Sequence, residues 1–407
     1  MFYEFPSELS LEEVRSVITE HNARTGTTAF IEADRGDHVV FNYIVAFDGS
    51  FPQPDTDDQS LNRQYSILRE CRGLIVCKKT GRILARRYHK FFNVNEKPFT
   101  QANLVDWSAP HHVLEKLDGS MITPFISDSC LRWGTKMGLT DVALPVEDFI
   151  AKNLGYVNYA MSELTQERTP IFEWCSRKQK IVIDYPEDAL ILTAVRNNGD
   201  GSYLSHGELI KLGRKFSIPV VRALPGSIQS IETFMAEARD LEGSEGYVIR
   251  FDNGHMLKVK GAWYCQIHST KDLLQQEKDV WALILEERMD DALAFMDDAD
   301  QDRVKRYVND FETEIALTAG RLQAFVELKR IELAGDKKRF ATEAVLTQPK
   351  EHSALLFAIW DKIEPVEVVR KFLSKNMHTR TKVESARWAV NGLSWDNYRD
   401  RNVQLDD

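Results

Sequence analysis

Ser244-Glu245-Gly246-Tyr247-Val248-Ile249-Arg250-Phe251-Asp252-Asn253-Gly254-His255-Met256-Leu257-Lys258-Val259-Lys260 is the stretch whose reading decides the fold. Two strand-forming runs flank Asn-Gly, a dipeptide that closes tight hairpins because both residues tolerate positive φ. A two-residue loop there predicts Asp252 opposite His255, Ile249 opposite Lys258 and Tyr247 opposite Lys260. Side chains alternate with period two, so Glu245, Lys258 and Lys260 are expected on one face of the hairpin. An exposed ion pair has the same signature, and the rest of the chain has to say which of the two this is.

Upstream, short strand-like runs at 39–47, 73–77, 83–87, 112–117, 121–126, 171–175, 181–183 and 190–195 are separated by turn signals such as Asp48-Gly49 and Asn197-Asn198-Gly199-Asp200-Gly201. Helices are expected over 10–22, opened by the capping-box spacing Ser10-x-x-Glu13, and over 145–153 and 230–241. Strands in runs with helices inserted predict an α+β fold with largely antiparallel sheets. Downstream the punctuation stops: of 21 Gly and 13 Pro, only Gly320, Gly335, Gly392, Pro349 and Pro365 lie beyond Lys271. Val304, Val308, Phe311, Ile315, Leu322 and Phe325 recur at helical spacing with Thr318 in the one gap, and further helices are expected over 273–289, 353–363 and 366–374. Two domains follow, 1–271 and an all-helical 272–407.

The length of 407 residues exceeds what one core serves, and 43% hydrophobic residues exclude wholesale disorder. No apolar run approaches the roughly 20 residues that span a bilayer. Met1-Phe2-Tyr3-Glu4-Phe5-Pro6 has no basic flank before an apolar stretch, so the cytoplasm is the expected compartment. Five widely spaced cysteines without a Cys-x-x-Cys pair argue against a disulfide framework and a structural zinc site. Net charge is 52 − 62 = −10, so a nucleic-acid partner would have to rely on local basic patches.

Glu115-Lys116-Leu117-Asp118-Gly119-Ser120 sets a lysine at the end of an apolar run, with a carboxylate two residues on and a Gly-Ser turn after it. An amine that attacks phosphorus must be unprotonated, which desolvation and neighbouring cations can achieve. In extended chain Lys116 and Asp118 share a face, and Gly119 lets backbone approach a ligand. Pro170-Ile171-Phe172-Glu173-Trp174 places one carboxylate inside an apolar strand, where Glu173 must meet a cation, a metal or a ribose hydroxyl. Lys78, Lys79, Arg82, Arg86, Arg87 and Lys90 form a basic stretch, and Phe91 and Phe92 beside it could stack a base.

Taken in order, Lys116 to Ser120, Phe172-Glu173-Trp174, Glu245-Gly246-Tyr247 and Leu257-Lys258-Val259-Lys260 resemble motifs I, III, IV and V of the covalent nucleotidyltransferases, the superfamily of ligases and capping enzymes. Within it the chain is most similar to the ATP-dependent RNA ligase 1 family of T4-like bacteriophages, through Glu70-Cys71-Arg72-Gly73, Lys90-Phe91-Phe92-Asn93-Val94-Asn95-Glu96-Lys97-Pro98-Phe99, Glu245-Gly246-Tyr247-Val248, Trp263-Tyr264 and His268-Ser269-Thr270-Lys271. The likeness runs through most of 1–271.

That resemblance implies an ATP-grasp-like nucleotidyltransferase domain with antiparallel sheets, followed by the helical domain. It implies that Lys116 takes AMP from ATP, with Arg72, Lys90, Lys258 and Lys260 supporting catalysis. Glu115, Asp118, Gly119, Lys136 and Tyr264 would join them around the nucleotide, and Glu173 and Glu245 would engage ribose or a Mg²⁺ or Mn²⁺ ion. Lys180 stands where the family often carries arginine. The implied partners are RNA ends joined 5′-phosphate to 3′-hydroxyl, notably the cleaved anticodon loop of a transfer RNA, with no membrane and a monomeric chain in a phage host's cytoplasm. The helical domain, with Lys337-Lys338-Arg339, would choose the substrate. A DNA ligase or capping-type enzyme shares the motifs but appends a β-barrel where this chain reads helical, and a catalytically silent RNA-binding module is the other alternative.

Overall fold

The computed structural model describes residues 4–46, 49–179, 181–296 and 298–398. Phe47, at the end of the strand expected over 39–47, and Lys180 lie outside the described residues. In chain order the elements are α1 (Leu11–Thr25), β1 (Phe30–Asp34), β2 (His38–Tyr43), α2 (Gln59–Glu70), β3 (Arg72–Cys77), β4 (Ile83–Ala85), β5 (Phe92–Asn93), β6 (His111–Lys116), β7 (Ser120–Ser127), β8 (Cys130–Gly134), α3 (Ala143–Ala151), α4 (Gly155–Leu164), β9 (Arg168–Cys175), β10 (Ala189–Asn197), α5 (His206–Phe216), α6 (Ile231–Arg239), β11 (Gly246–Phe251), β12 (Met256–Lys260) and α7 (Ala262–Leu273). One compact unit runs to Cys265 and a second from Gln266, so the division falls inside α7.

Ser10 caps α1 by accepting from the Glu13 amide at 3.1 Å, but the Glu13 carboxylate takes Arg63 at 2.5 Å instead of returning to Ser10, so half of the expected capping box forms. The strands make three sheets, ordered β1-β2-β3-β4, β10-β9-β7-β8 and β5-β12-β11-β6. All pairings are antiparallel except β5 with β12, which makes the first unit α+β as expected. The run at 181–183 is not a strand; its amides serve a carboxylate described below.

The β11–β12 hairpin differs from its expected register by one residue. Gly246 lies opposite Lys260, Val248 opposite Lys258 and Arg250 opposite Met256, because Phe251 and His255 close a three-residue loop. Gly254 takes the left-handed position of that loop at φ 87°. Val113, Ile249, Leu257 and Val259 pack into a core with Ile231 and Ala238 of α6. The alternate residues of the same strands, among them Lys116, Lys258 and Lys260, therefore occupy the opposite face.

A buried charge cluster ties the first unit together. Glu70, at the end of α2, receives Arg86 Nε at 3.1 Å and two Arg196 nitrogens at 2.7 Å each, and all three side chains are fully buried. Arg86 also donates to Pro6 O at 2.8 Å, and Arg196 to Gly201 O at 2.8 Å. Burial alone would raise the Glu70 carboxyl; Arg196 and Arg86 outweigh it and hold the group below its ordinary range. Arg86 and Arg87 are thus not the surface cations that the basic stretch suggested.

The second unit is helical: α8 (Glu277–Leu285), α9 (Met289–Leu293), α10 (Asp298–Glu332), α11 (Lys337–Arg339), α12 (Ser353–Trp360), α13 (Pro365–Asn376) and α14 (Arg380–Ala386). The long helix expected around Val304 to Phe325 is α10, whose buried stripe includes Thr318, whereas the helix expected over 273–289 is broken between α7 and α8. Trp281, Tyr307, Phe311, Ile315, Leu356 and Val369 form the centre of its core. Among the described residues no helix is long and apolar enough to cross a membrane, and the five cysteines are free thiols.

Removing the anion from a buried triad leaves two arginines uncompensated, a change that costs about 3–5 kcal/mol. Glu70→Gln should lower the urea unfolding free energy of the full chain by that order. A loss below about 1 kcal/mol would refute the anchoring role given to Glu70.

Candidate active site

At one end of the β5-β12-β11-β6 sheet, Gly246 has Lys116 of β6 on one side and Lys260 of β12 on the other. A Cβ at Gly246 would sit 2.1 Å from Val259 O, and φ is 137°, so no other residue fits. That backbone also reverses the alternation: in the observed register Glu245 would face the core, yet its carboxylate lies between the two lysines. Oε2 is 2.6 Å from Lys116 Nζ and Oε1 is 3.0 Å from Lys260 Nζ. Burial opposes the charge on Glu245, but Lys116 and then Lys260 keep its carboxyl below the ordinary range.

Lys116 is not held unprotonated. Burial pulls the amine down, while Glu245 and then Glu173 outweigh it and hold Lys116 above its ordinary value. The environment expected of the nucleophile belongs instead to Lys258, which burial, then Lys116, Arg72 and Lys90, push well below the normal range.

Asp118 is buried and heavily engaged. It accepts from Tyr264 Oη at 2.7 Å and from the Val182 and Ile183 amides at 2.7 and 2.6 Å, while its own amide donates to Tyr185 Oη at 2.9 Å. These bonds explain why 181–183 forms no ladder. They also give Asp118 the work of fastening Tyr264 and this loop to the end of β6. Burial and the neighbouring Glu245 and Asp118 drive the Tyr264 hydroxyl up, and Lys260 Nζ lies 5.3 Å from its ring centroid. Gly119 packs directly on β9, where a Cβ would come 2.3 Å from Trp174 O.

Glu173 projects from β9, half-buried; its backbone belongs to the ladder, and its carboxylate has no hydrogen-bond or ion-pair partner among the described residues. Burial, with Glu245 and Asp118 adding, pushes its carboxyl up to about 8 against the pull of Lys116 and Arg72. An acid whose burial outweighs the pull of the cations near it would gain from a divalent ion. Among the described residues no three His, Cys, Asp or Glu side chains are grouped to hold one, but Mg²⁺ commonly takes one or two carboxylates and draws its other oxygens from substrate phosphates and water. Glu173 and Glu245 fit that role.

A second set of cations surrounds Tyr43. Lys90 Nζ donates to Tyr43 Oη at 3.3 Å and lies 4.7 Å from its ring centroid, and Lys136 Nζ lies 6.0 Å from it. Burial would raise the Tyr43 hydroxyl; Arg72, Lys90 and Lys136 together hold it below its ordinary value. Phe91 lies between Arg72 at 5.9 Å and Lys258 at 5.5 Å, linking this set to the lysines of the sheet, whereas Phe92 belongs to the core. Buried Arg87 donates to the carbonyls of Gly73 and Gly134, bracing the segments that carry Arg72 and Lys136. The two segments touch: a Cβ at Gly73 would meet Lys136 O at 2.6 Å.

Lys116, Glu173, Glu245, Lys258, Lys260, Asp118 and Tyr264 are therefore gathered in one place, with Arg72, Lys90 and Lys136 linked to it through Phe91. Glu115 is not gathered with them: it lies on the other face of β6, 3.6 Å from Arg222 Nε. Tyr43 and Arg87 were missed as site residues. Tyr43 had no motif around it, and Arg87 was indistinguishable from surface cations beside it.

Residues 70–264 match a family model described as RNA ligase, of the T4 type 1 group. Over 264 residues the chain is 32% identical to a Thermovibrio ammonificans protein bearing an RNA ligase name, covering 62% of this chain and 66% of that one. Over 233 residues it is 28% identical to RNA ligase 1 of bacteriophage TS2126, covering 55% and 57%. The chain thus spans less than two thirds of the length of these relatives. Among solved structures, a variant of Naegleria gruberi RNA ligase with ATP and Mn overlaps 39% of this chain and 51% of its own at 17% identity and TM-score 0.33.

A carboxyl whose folded value is raised stabilises the fold while protonated. That contribution is full below the unfolded value of about 4.3 and is lost as pH climbs toward about 8. Glu173→Gln should therefore flatten the decline of the thermal midpoint between pH 5 and pH 8 in metal-free buffer. An unchanged slope in the variant would contradict the assignment.

Proposed function

We propose that this chain, whose residues 70–264 match an RNA ligase family model, is an ATP-dependent RNA ligase that joins 5′-phosphate to 3′-hydroxyl ends through AMP carried on Lys116. The observation that carries the reading is the Glu245 carboxylate bridging Lys116 and Lys260, with Glu173, an acid whose side chain has no partner among the described residues, in the same site. A nucleophile, an acid within reach of its proton and cations for phosphate oxygens converge there, as nucleotidyl transfer requires.

In the first step the Lys116 amine attacks the α-phosphorus of ATP; a P–N bond forms and the P–O bond to pyrophosphate breaks. Lys116 must first give up a proton, and Glu245 Oε2, 2.6 Å away, is the acceptor in reach. Lys258, Lys260, Arg72, Lys90 and Lys136 neutralise the phosphates, and desolvated Lys258 gains most from an arriving anion. A divalent cation, Mg²⁺ or Mn²⁺, held by Glu173 and Glu245 would supply further neutralisation of phosphate charge. Asp118 fixes Tyr264 at the edge of the nucleotide. The AMP then passes to the 5′-phosphate of one RNA end, and the 3′-hydroxyl of another displaces AMP to seal the strand.

In this reading residues 1–271 catalyse, and the helical residues 272–407 select the RNA, of which a cleaved anticodon loop is the leading candidate. Helices after β12, in place of a β-barrel, favour an RNA ligase over a DNA ligase or capping-type enzyme.

Incubation with ATP labelled on the α-phosphate should give a covalent protein–AMP adduct, absent in Lys116→Ala and not formed with GTP. An unlabelled wild-type chain, or a label that survives Lys116→Ala, would refute the mechanism. Matched panels of single-stranded RNA, nicked duplex and cleaved transfer RNA then rank the substrates.

A further inference from the structure

The cations of the helical unit are mostly spoken for. Lys337 pairs with Asp361, Arg339 with Glu343 and Arg370 with Glu312, so the run Lys337-Lys338-Arg339 is largely neutralised. The corner where α13 gives way to α14 is different. Over residues 371–382 the sequence holds Lys371, Lys375, His378, Arg380 and Lys382 and no Asp or Glu, inside a chain of net charge −10. All five side chains are exposed. Among the described residues Lys371, Lys375 and Lys382 have no carboxylate partner, and only Arg380 is paired, to Glu384 at 3.0 Å.

Lys375, in the last turn of α13, suits the helix dipole, but other members of the group work against local stability. Lys371 and Lys375 are like charges at i and i+4, which repel on a helix surface. Arg380 and Lys382 stand in the first turn of α14, where the helix dipole disfavours cations. Arg380 is five positions beyond Lys375, a reach of at most about 18 Å, so the charges crowd one corner.

We infer that the α13–α14 corner is a docking surface for the phosphate backbone of single-stranded RNA. The inference rests on the ligase reading for the identity of the polyanion, while the surface itself rests on charge and exposure alone.

The test is binding of a 5′-fluorescent single-stranded RNA to the full-length protein without ATP, across a salt series, for wild type, the triple variant Lys371→Ala/Lys375→Ala/Lys382→Ala and the comparison variant Lys337→Ala/Lys338→Ala. Each phosphate contact on a single strand contributes about 0.7 to the slope of log affinity against log salt, so the triple variant should lose about 2 from that slope and bind on the order of tenfold more weakly at low salt. The comparison variant should bind as wild type does. An unchanged slope in the triple variant, or an equal loss in the comparison variant, would overturn the proposal. So would a weaker affinity with an unchanged slope, or the same loss accompanied by a lowered thermal midpoint. Labelling of wild type with ATP reports separately on the ligase reading: its failure would remove that reading and leave the salt slopes to judge the surface.

Discussion

Everything at the candidate active site depends on one carboxylate being held between two ammonium groups. Glu245 can reach both Lys116 and Lys260 only because Gly246 has no side chain and accepts a backbone conformation that turns Glu245 out of the strand's alternation. The pair of contacts sets the charge state of the resting site. Lys116 is favoured as an ammonium and Glu245 as a carboxylate, while burial and the surrounding cations make Lys258 the lysine that most readily gives up its proton. In the proposed ligase reading, a triphosphate entering this arrangement would relieve Lys258 and compete with Glu245 for the lysines. Its binding and the activation of Lys116 would then be coupled through one shared anion.

Much of this was legible in the sequence, and the failures have physical causes. The α+β class and the helical unit followed from turn residues and helical periodicity, which are local. The convergence of Glu245, Lys258 and Lys260 was foreseen for a reason that proved incomplete. The Asn-Gly loop has three residues instead of two, which moves the register by one, and the positive φ of Gly246 restores Glu245 to the lysine face. Backbone conformation at one glycine is not written in an alternation pattern. Helix α2 was missed although Asp58 caps it, accepting from the Ser60 amide at 2.8 Å. Helix α5 carried a complete Ser205-x-x-Glu208 capping box that could have revealed it.

Charge was the least legible property. Arg86 and Arg87 are indistinguishable in sequence from Lys78 and Lys79, yet the arginines are buried and the lysines are not. What decides is a partner distant along the chain, Glu70 for Arg86 and two backbone carbonyls for Arg87. The net charge of −10 conceals both this internal use of cations and their crowding at the substrate site. The sums that describe a chain say little about where its field is strong.

The hairpin loop at Asp252-Asn253-Gly254 has a consequence for how such a protein can change over evolutionary time. Its three residues act as a reading frame for the sheet. Substitutions that keep the glycine at 254 leave the frame intact, whereas a gain or loss of one residue that slid β12 by one position would exchange Lys258 and Lys260 for Leu257 and Val259 on the site face. A loop well removed along the strands from the candidate site is therefore fixed in length and held to glycine at its left-handed position, with more freedom at the two residues before it.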